Sequence, residues 1–180
     1  MRHLFLAPAF ALALSVTGAP AAASNQGWDD ASTVVDAALV AAAIGIPLAK
    51  GDGNGAVQAG ASVGVAYGAA TGLKYIFPET RPDGSDRRSF PSGHTSAAFA
   101  AAASIQQRQG WGAGIPAHIA AAFVGYARVE AKRHHWYDVV AGAAIGEASG
   151  LLITNDRHRN VAVMPWGDTR GGGIAVAARF

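Results

Sequence analysis

Apolar residues recur along this chain in long blocks at helical spacing, and each block is closed by a short polar or glycine-rich stretch. Val34, Val35, Ala38, Leu39, Ala42 and Ile46 share one stripe at intervals of three and four, which predicts a first helix running towards Pro47, with Asp29 or Asp30 able to cap it. Lys50 to Gly55 is dense in turn formers and predicts a chain reversal before a second apolar segment, Ala56 to Leu73, that ends at Lys74. From Pro78 to Pro91 three prolines and three arginines replace the apolar pattern, which predicts an irregular loop. Ser92 or Gly93 can open a third helix through Ala97, Ala101 and Ile105. Gly110 to Gly114 interrupts it, a fourth helix runs from Pro116 to about Val129, and a fifth from about His135 to Ile153. Val161–Met164 and Ile174–Ala177 are short, partly β-branched runs separated by Pro165 to Gly173 and read as a hairpin.

The N-terminus has a different pattern. Arg2 and His3 precede an apolar run from Leu4 to Val16, then Ala21-Ala22-Ala23, which reads as a secretory signal over residues 1–23 with cleavage after Ala23. An uncleaved anchor is the competing reading, disfavoured by the shortness of the run and its small-residue exit. The expected organisation is therefore a leader, a helical domain over 24–154, and a tail over 155–180. The fold class is all-α, a bundle of about five helices with a short C-terminal β-hairpin. Export places the protein in the periplasm or cell envelope.

Composition narrows the classes further. With 14 basic and 12 acidic side chains, one of the basic ones in the leader, the charge is nearly balanced, and bulk nucleic-acid binding is not indicated. There is no cysteine, which excludes a disulfide scaffold and a thiolate metal site. Charged residues make up only 14% of a chain rich in Ala and Gly, a balance suited to closely packed helices and compatible with membrane association. Asp36, Gln58, His118 and Glu147 interrupt the apolar segments, so soluble and membrane-embedded bundles both remain open. The sequence carries no statement of oligomeric state.

Three short segments hold most of the candidate chemistry: Lys74 to Arg81-Pro82, Pro91-Ser92-Gly93-His94, and Arg128 through His134 to Asp138. Lys74, Arg81 and Arg128 offer three cations, two of them able to bind phosphate oxygens through paired charge-assisted hydrogen bonds. Pro91-Ser92-Gly93 opens a helix, so unpaired amide N–H groups and the positive dipole end face an anion, and the Ser92 hydroxyl adds a donor. His134 and Asp138 stand four apart, a spacing that on a helix lets the carboxylate fix the ring tautomer and free the other nitrogen to attack phosphorus. His94 is the matching acid for a leaving alkoxide and then the base for water. His135 could reach Asp138 by the same helical geometry. His118 reads as a core residue, His158 as part of a solvated stretch, Arg87 and Arg88 as loop cations that could meet an anionic headgroup, and Trp136 and Tyr137 as entrance or interface aromatics.

In order and spacing these segments resemble the three-part signature of the type 2 phosphatidic acid phosphatase family, which shares its catalytic core with the vanadium-dependent haloperoxidases. The resemblance implies a nucleophile at His134 oriented by Asp138, a general acid/base at His94, and phosphate binding by Lys74, Arg81, Ser92, Gly93 and Arg128. It also implies a metal-independent, acid-phosphatase-type hydrolase without cofactor that acts on a phosphomonoester or diphosphate through a phosphohistidine. The partner is then a phosphorylated small molecule or lipid, with a lipid-linked phosphate favoured by the exported location. One departure is Ala127, where the family usually has Ser before the Arg, which removes a donor or packing contact beside Arg128. Only the family spacing favours His134 over His135. A haloperoxidase is disfavoured by length, and a non-catalytic lipid-binding component by the complete set of nucleophile, orienting group and acid. A histidine-bound metal is disfavoured by the three cations around the site.

Overall fold

The computed structural model describes residues 24–155, 161–168 and 171–178, so the leader read over residues 1–23 lies outside the described residues, as does His158. Five helices follow one another: α1 (Asn25–Ala49), α2 (Gly53–Ile76), α3 (Gly93–Gln109), α4 (Trp111–Glu130) and α5 (Trp136–Ile153). They are followed by β1 (Val161–Asp168) and β2 (Gly171–Ala178), and the all-α bundle expected from periodicity is the fold observed.

The helix ends follow from local chemistry. α1 is capped by Ser24, whose Oγ accepts the Gly27 N–H at 3.1 Å, so the helix begins four residues before the expected Asp29 cap. Asp52 caps α2 through Gly55 N–H at 3.0 Å, after Gly51 turns the chain at a φ of 70°. Gly110, at a φ of 81°, ends α3 and opens α4 at once, so the break expected over Gly110 to Gly114 is a single residue. Gly112 and Gly114 are helical. A Cβ on Gly114 would stand 2.7 Å from Gln106 Cβ, so glycine there lets α4 turn back tightly against α3.

α3 is the hub, in contact with all four other helices. Its Ala97, Ala98 and Ala100 to Ala103 are buried, and with Leu39, Ala59, Ile105, Ala117, Ala121 and Val124 they form a core of mostly small side chains. Small residues also set the α3–α5 distance: Gly142, Gly146 and Gly150 lie four apart on α5 against the α3 backbone. At the bundle end away from α3's N-terminus Arg108 pairs with Asp52 and donates to the Asn155 carbonyl at 2.8 Å. The hairpin extends further than the apolar runs indicated, pairing antiparallel from Val161↔Ala178 to Asp168↔Gly171, because backbone hydrogen bonding continues through the glycines after the side-chain pattern has ended.

Candidate active site

The three segments converge where the C-terminal end of α2, the N-terminus of α3, the C-terminal end of α4 and the start of α5 meet. Motif two is tied to motif three through the backbone: Ser92 N–H donates to the Asp138 carbonyl at 3.0 Å. The third motif departs from the expected geometry, however. α5 begins at Trp136 with His135 as its N-cap, so His134 lies in the turn before the helix and does not share a helical face with Asp138. The reason is the capping preference of Asp138, which accepts the His135 N–H at 2.8 Å and fixes the helix start there. His134 still reaches it, with Nδ1 3.6 Å from Asp138 Oδ2, held by its own N–H donating to the Arg128 carbonyl at 3.2 Å.

His134 and Asp138 are buried, and His94 is half-buried at the start of α3. Burial is the main force on the His134 ring. The Asp138 carboxylate opposes it, but Arg128, Lys74 and Arg81 add to it, and the ring is held down at about 4. His94 is also lowered to about 4, first by burial and then by the charges of Arg128 and His134, with Asp29 pulling the other way. For Asp138 burial works upwards but is outweighed by the attraction of His134 and by hydrogen bonds from Ser89 Oγ and the His135 amide, which hold it at about 2. At neutral pH the His134 and His94 rings are thus neutral beside the ionised Asp138.

Those cations are engaged within the protein. Lys74 Nζ donates to the carbonyls of Arg88 at 2.8 Å, Ser89 at 3.2 Å and Pro91 at 2.5 Å, clamping the loop ahead of α3. Burial foremost, then Arg81, brings the ammonium down to about 8. Arg81 donates from Nε to Asp86 at 2.8 Å and from its guanidinium to the Arg133 carbonyl at 3.1 Å. The Ser92 hydroxyl caps α3, paired with Thr95 Oγ1 at 2.9 Å, and a Cβ on Gly93 would meet the Tyr67 ring at 3.1 Å. The first amides of α3 remain the anion-facing donors that helix geometry leaves over.

Arg128, buried at the end of α4, has a partner that no motif indicated. Its guanidinium pairs with Asp29 and lies 3.3 Å from Ser32 Oγ, while Arg133 reaches the other Asp29 oxygen at 2.9 Å and Asp83 at 3.2 Å. Asp29, Ser32 and Asp36 recur at helical spacing on α1, so one face of that helix serves the site. Burial pushes Asp36 up to about 7 against the pull of Arg128, so below that pH only Asp29 offsets the Arg128 charge strongly. Sequence reasoning took Asp29 for a cap and did not single out Arg133, Ser32 or Ser89. The only signal available for the α1 pair was its spacing from Ser32 and Asp36.

Residues 55–162, more than half of the chain, match the PAP2 superfamily model. A lipid A 1-phosphatase from Porphyromonas gingivalis is 40% identical over 83 residues, covering 44% of this chain and 18% of that protein. A putative phosphatidate phosphatase from Drosophila melanogaster is 38% identical over 81 residues, 38% of this chain and 21% of its own length. The chain thus spans about a fifth of either curated relative. The crystal structure of Aquifex aeolicus LpxE superposes with a TM-score of 0.61 at 20% identity, covering 71% of this chain and 82% of that one, a likeness of fold.

Proposed function

The chain belongs to the PAP2 superfamily, and from that premise we propose that it is a phosphatase that cleaves phosphomonoesters or diphosphates, lipid-linked ones above all, through a covalent phosphohistidine. The observation that carries the reading is the buried, neutral His134 ring, with a carboxylate beside Nδ1 and the charges of Arg128, Lys74 and Arg81 acting on it. With Nδ1 protonated towards Asp138, Nε2 holds the lone pair that attacks phosphorus in line with the leaving oxygen. The P–N bond forms as the P–O bond to the leaving group breaks, and His94 gives that oxygen its proton. Water, deprotonated by His94, then attacks the phosphohistidine and releases inorganic phosphate. Arg81, Arg128, Lys74 and the first amides of α3, with Ser92 and Gly93 at the turn, support the charge on the equatorial oxygens.

The named relatives favour a lipid-linked phosphate. So does the bundle surface, which exposes Trp111, Ile119, Trp136, Leu151 and Leu152 and includes α1, long and apolar enough by composition to cross a membrane. We place the protein in the cell envelope, against a lipid surface. The test is a phosphate-release screen with the purified protein over four substrate classes: a lipid phosphate, an isoprenoid diphosphate, a lipid A phosphate and a soluble ester. Turnover of at least one class, abolished in a folded His134→Ala variant, is the expected result. Near-normal activity of that variant would remove the mechanism.

A further inference from the structure

Asp138 has two histidines beside it and can orient only one of them well. Its Oδ2 lies 3.6 Å from His134 Nδ1 and 3.4 Å from His135 Nδ1. Yet His134 Nδ1 is buried without a closer hydrogen-bond partner than this carboxylate. Something must keep His135 from taking the carboxylate.

Ser89 has the position to do so. It is fully buried in the loop before the second motif, and its Oγ donates to Asp138 Oδ2 at 2.5 Å while lying 3.4 Å from His135 Nδ1. A hydroxyl has one proton and two lone pairs. With the proton committed to Asp138, the lone pairs face His135 Nδ1–H and give it an acceptor other than the carboxylate. The backbone of Ser89 is pinned on both sides, its N–H donating to the Glu79 carbonyl at 3.0 Å and its carbonyl accepting from Lys74. Glu79, 3.8 Å from His135 Nδ1, is itself engaged by the Tyr137 hydroxyl.

We propose that Ser89 is a positioning residue that assigns the Asp138 carboxylate to His134 in place of His135. The inference rests on His134 being the nucleophile. Removing the hydroxyl leaves His135 free to donate to Asp138, and His134 loses its fixed tautomer. Ser89→Thr keeps the hydroxyl. His135→Phe keeps the ring that stacks on Tyr137 at 5.0 Å and removes the competing nitrogen.

The experiment compares Ser89→Ala, Ser89→Thr, His135→Phe and the Ser89→Ala/His135→Phe double variant. Ser89→Ala should lower kcat about ten- to a hundredfold, the usual cost of losing an orienting partner, with KM within about twofold. Ser89→Thr should restore most of kcat, and the double variant should recover roughly fivefold or more over Ser89→Ala. Nitrogen NMR of the His134 ring gives a readout independent of turnover: one Nδ1–H tautomer in the wild type, a mixture in Ser89→Ala, and one again in the double variant. A kcat for Ser89→Ala within about twofold of wild type, or a double variant no better than Ser89→Ala, or an unchanged tautomer in Ser89→Ala, would overturn the assignment. If the wild type releases phosphate from none of the four substrate classes, the phosphatase reading fails, while the ring tautomers still decide the role of Ser89.

Discussion

Replacing Gly146 with Ala tests whether the α3–α5 approach holds the site together. A Cβ at that position would stand 2.9 Å from both the Ala100 amide nitrogen and Phe99 Cβ, and closer still to the Ser96 carbonyl oxygen. Two of these three atoms belong to the α3 backbone and cannot rotate away, so the helices must separate by about an ångström to reach ordinary contact. Overpacking of this kind costs about 1–3 kcal/mol, and the steric conflict here places it at the upper end. The better helix propensity of Ala returns up to about 1 kcal/mol, leaving a net loss of about 2 kcal/mol, or roughly thirtyfold in the folded-to-unfolded ratio. Gly64 on α2 is the control, because a Cβ there meets nothing within 4 Å. The same substitution at Gly64 should stabilise by about 0.5–1 kcal/mol. Denaturant unfolding of the two variants beside the wild type measures the opposite signs. Activity should fall only in Gly146→Ala, since spreading α3 from α5 moves Ser92 and His94 relative to Asp138. A Gly146→Ala protein as stable as the wild type would refute the packing argument.

The pH dependence follows from the shifted groups. kcat/KM should fall as pH drops through about 4, where His134 takes up a proton and loses the lone pair that attacks, which a pH–rate profile reads directly. Stability has its own window. Both histidines sit near 4 in the fold against an ordinary 6.5, so between those values the unfolded chain binds more protons, and the melting temperature should drop as pH falls from about 6.5 towards 4. Asp29→Asn should destabilise by about 2–4 kcal/mol, because Arg128 is left buried with its charge unpaired; a melting temperature equal to the wild type's would contradict the role given to α1. Phosphate release should survive EDTA, and loss of activity on chelation would argue against the proposed chemistry. Binding of inorganic phosphate should raise the His94 titration from about 4 to near neutrality by NMR.

The bundle was legible because each helix is an apolar block closed by polar, glycine- or proline-bearing stretches, and the candidate site because three spacings each encode neighbours that are local in the chain. What lay outside the pattern is mostly long-range. Asp29 and Arg128 are 99 residues apart, and nothing in the sequence of either helix announces the other. Ser89 and Asp138 meet across 49 residues for the same reason. His134 was placed on α5 by a spacing of four that fits a helix, whereas the same Asp138 side chain ends the helix by capping it at His135. The donors of Lys74 and the hydroxyl of Ser92 point to anion binding by residue type, and the fold uses both on its own loop and helix end. A sequence shows which groups are available for chemistry, but not which neighbouring backbone atoms compete for them.

His94 presents the last step, since a group held near 4 is a poor acid for a reaction at neutral pH. Moving it to about 7 requires roughly 4 kcal/mol in favour of the protonated ring. A single negative charge about 4 Å away supplies about that much at the effective dielectric of a partly buried site, and a phosphate dianion carries two. Arg128 and Arg81, which depress His94 in the empty site, are the groups whose charge the dianion would meet first, so binding adds attraction and relieves repulsion together. In the proposed mechanism His94 therefore becomes a competent acid only when substrate is bound. Without it, His94 and His134 both remain neutral.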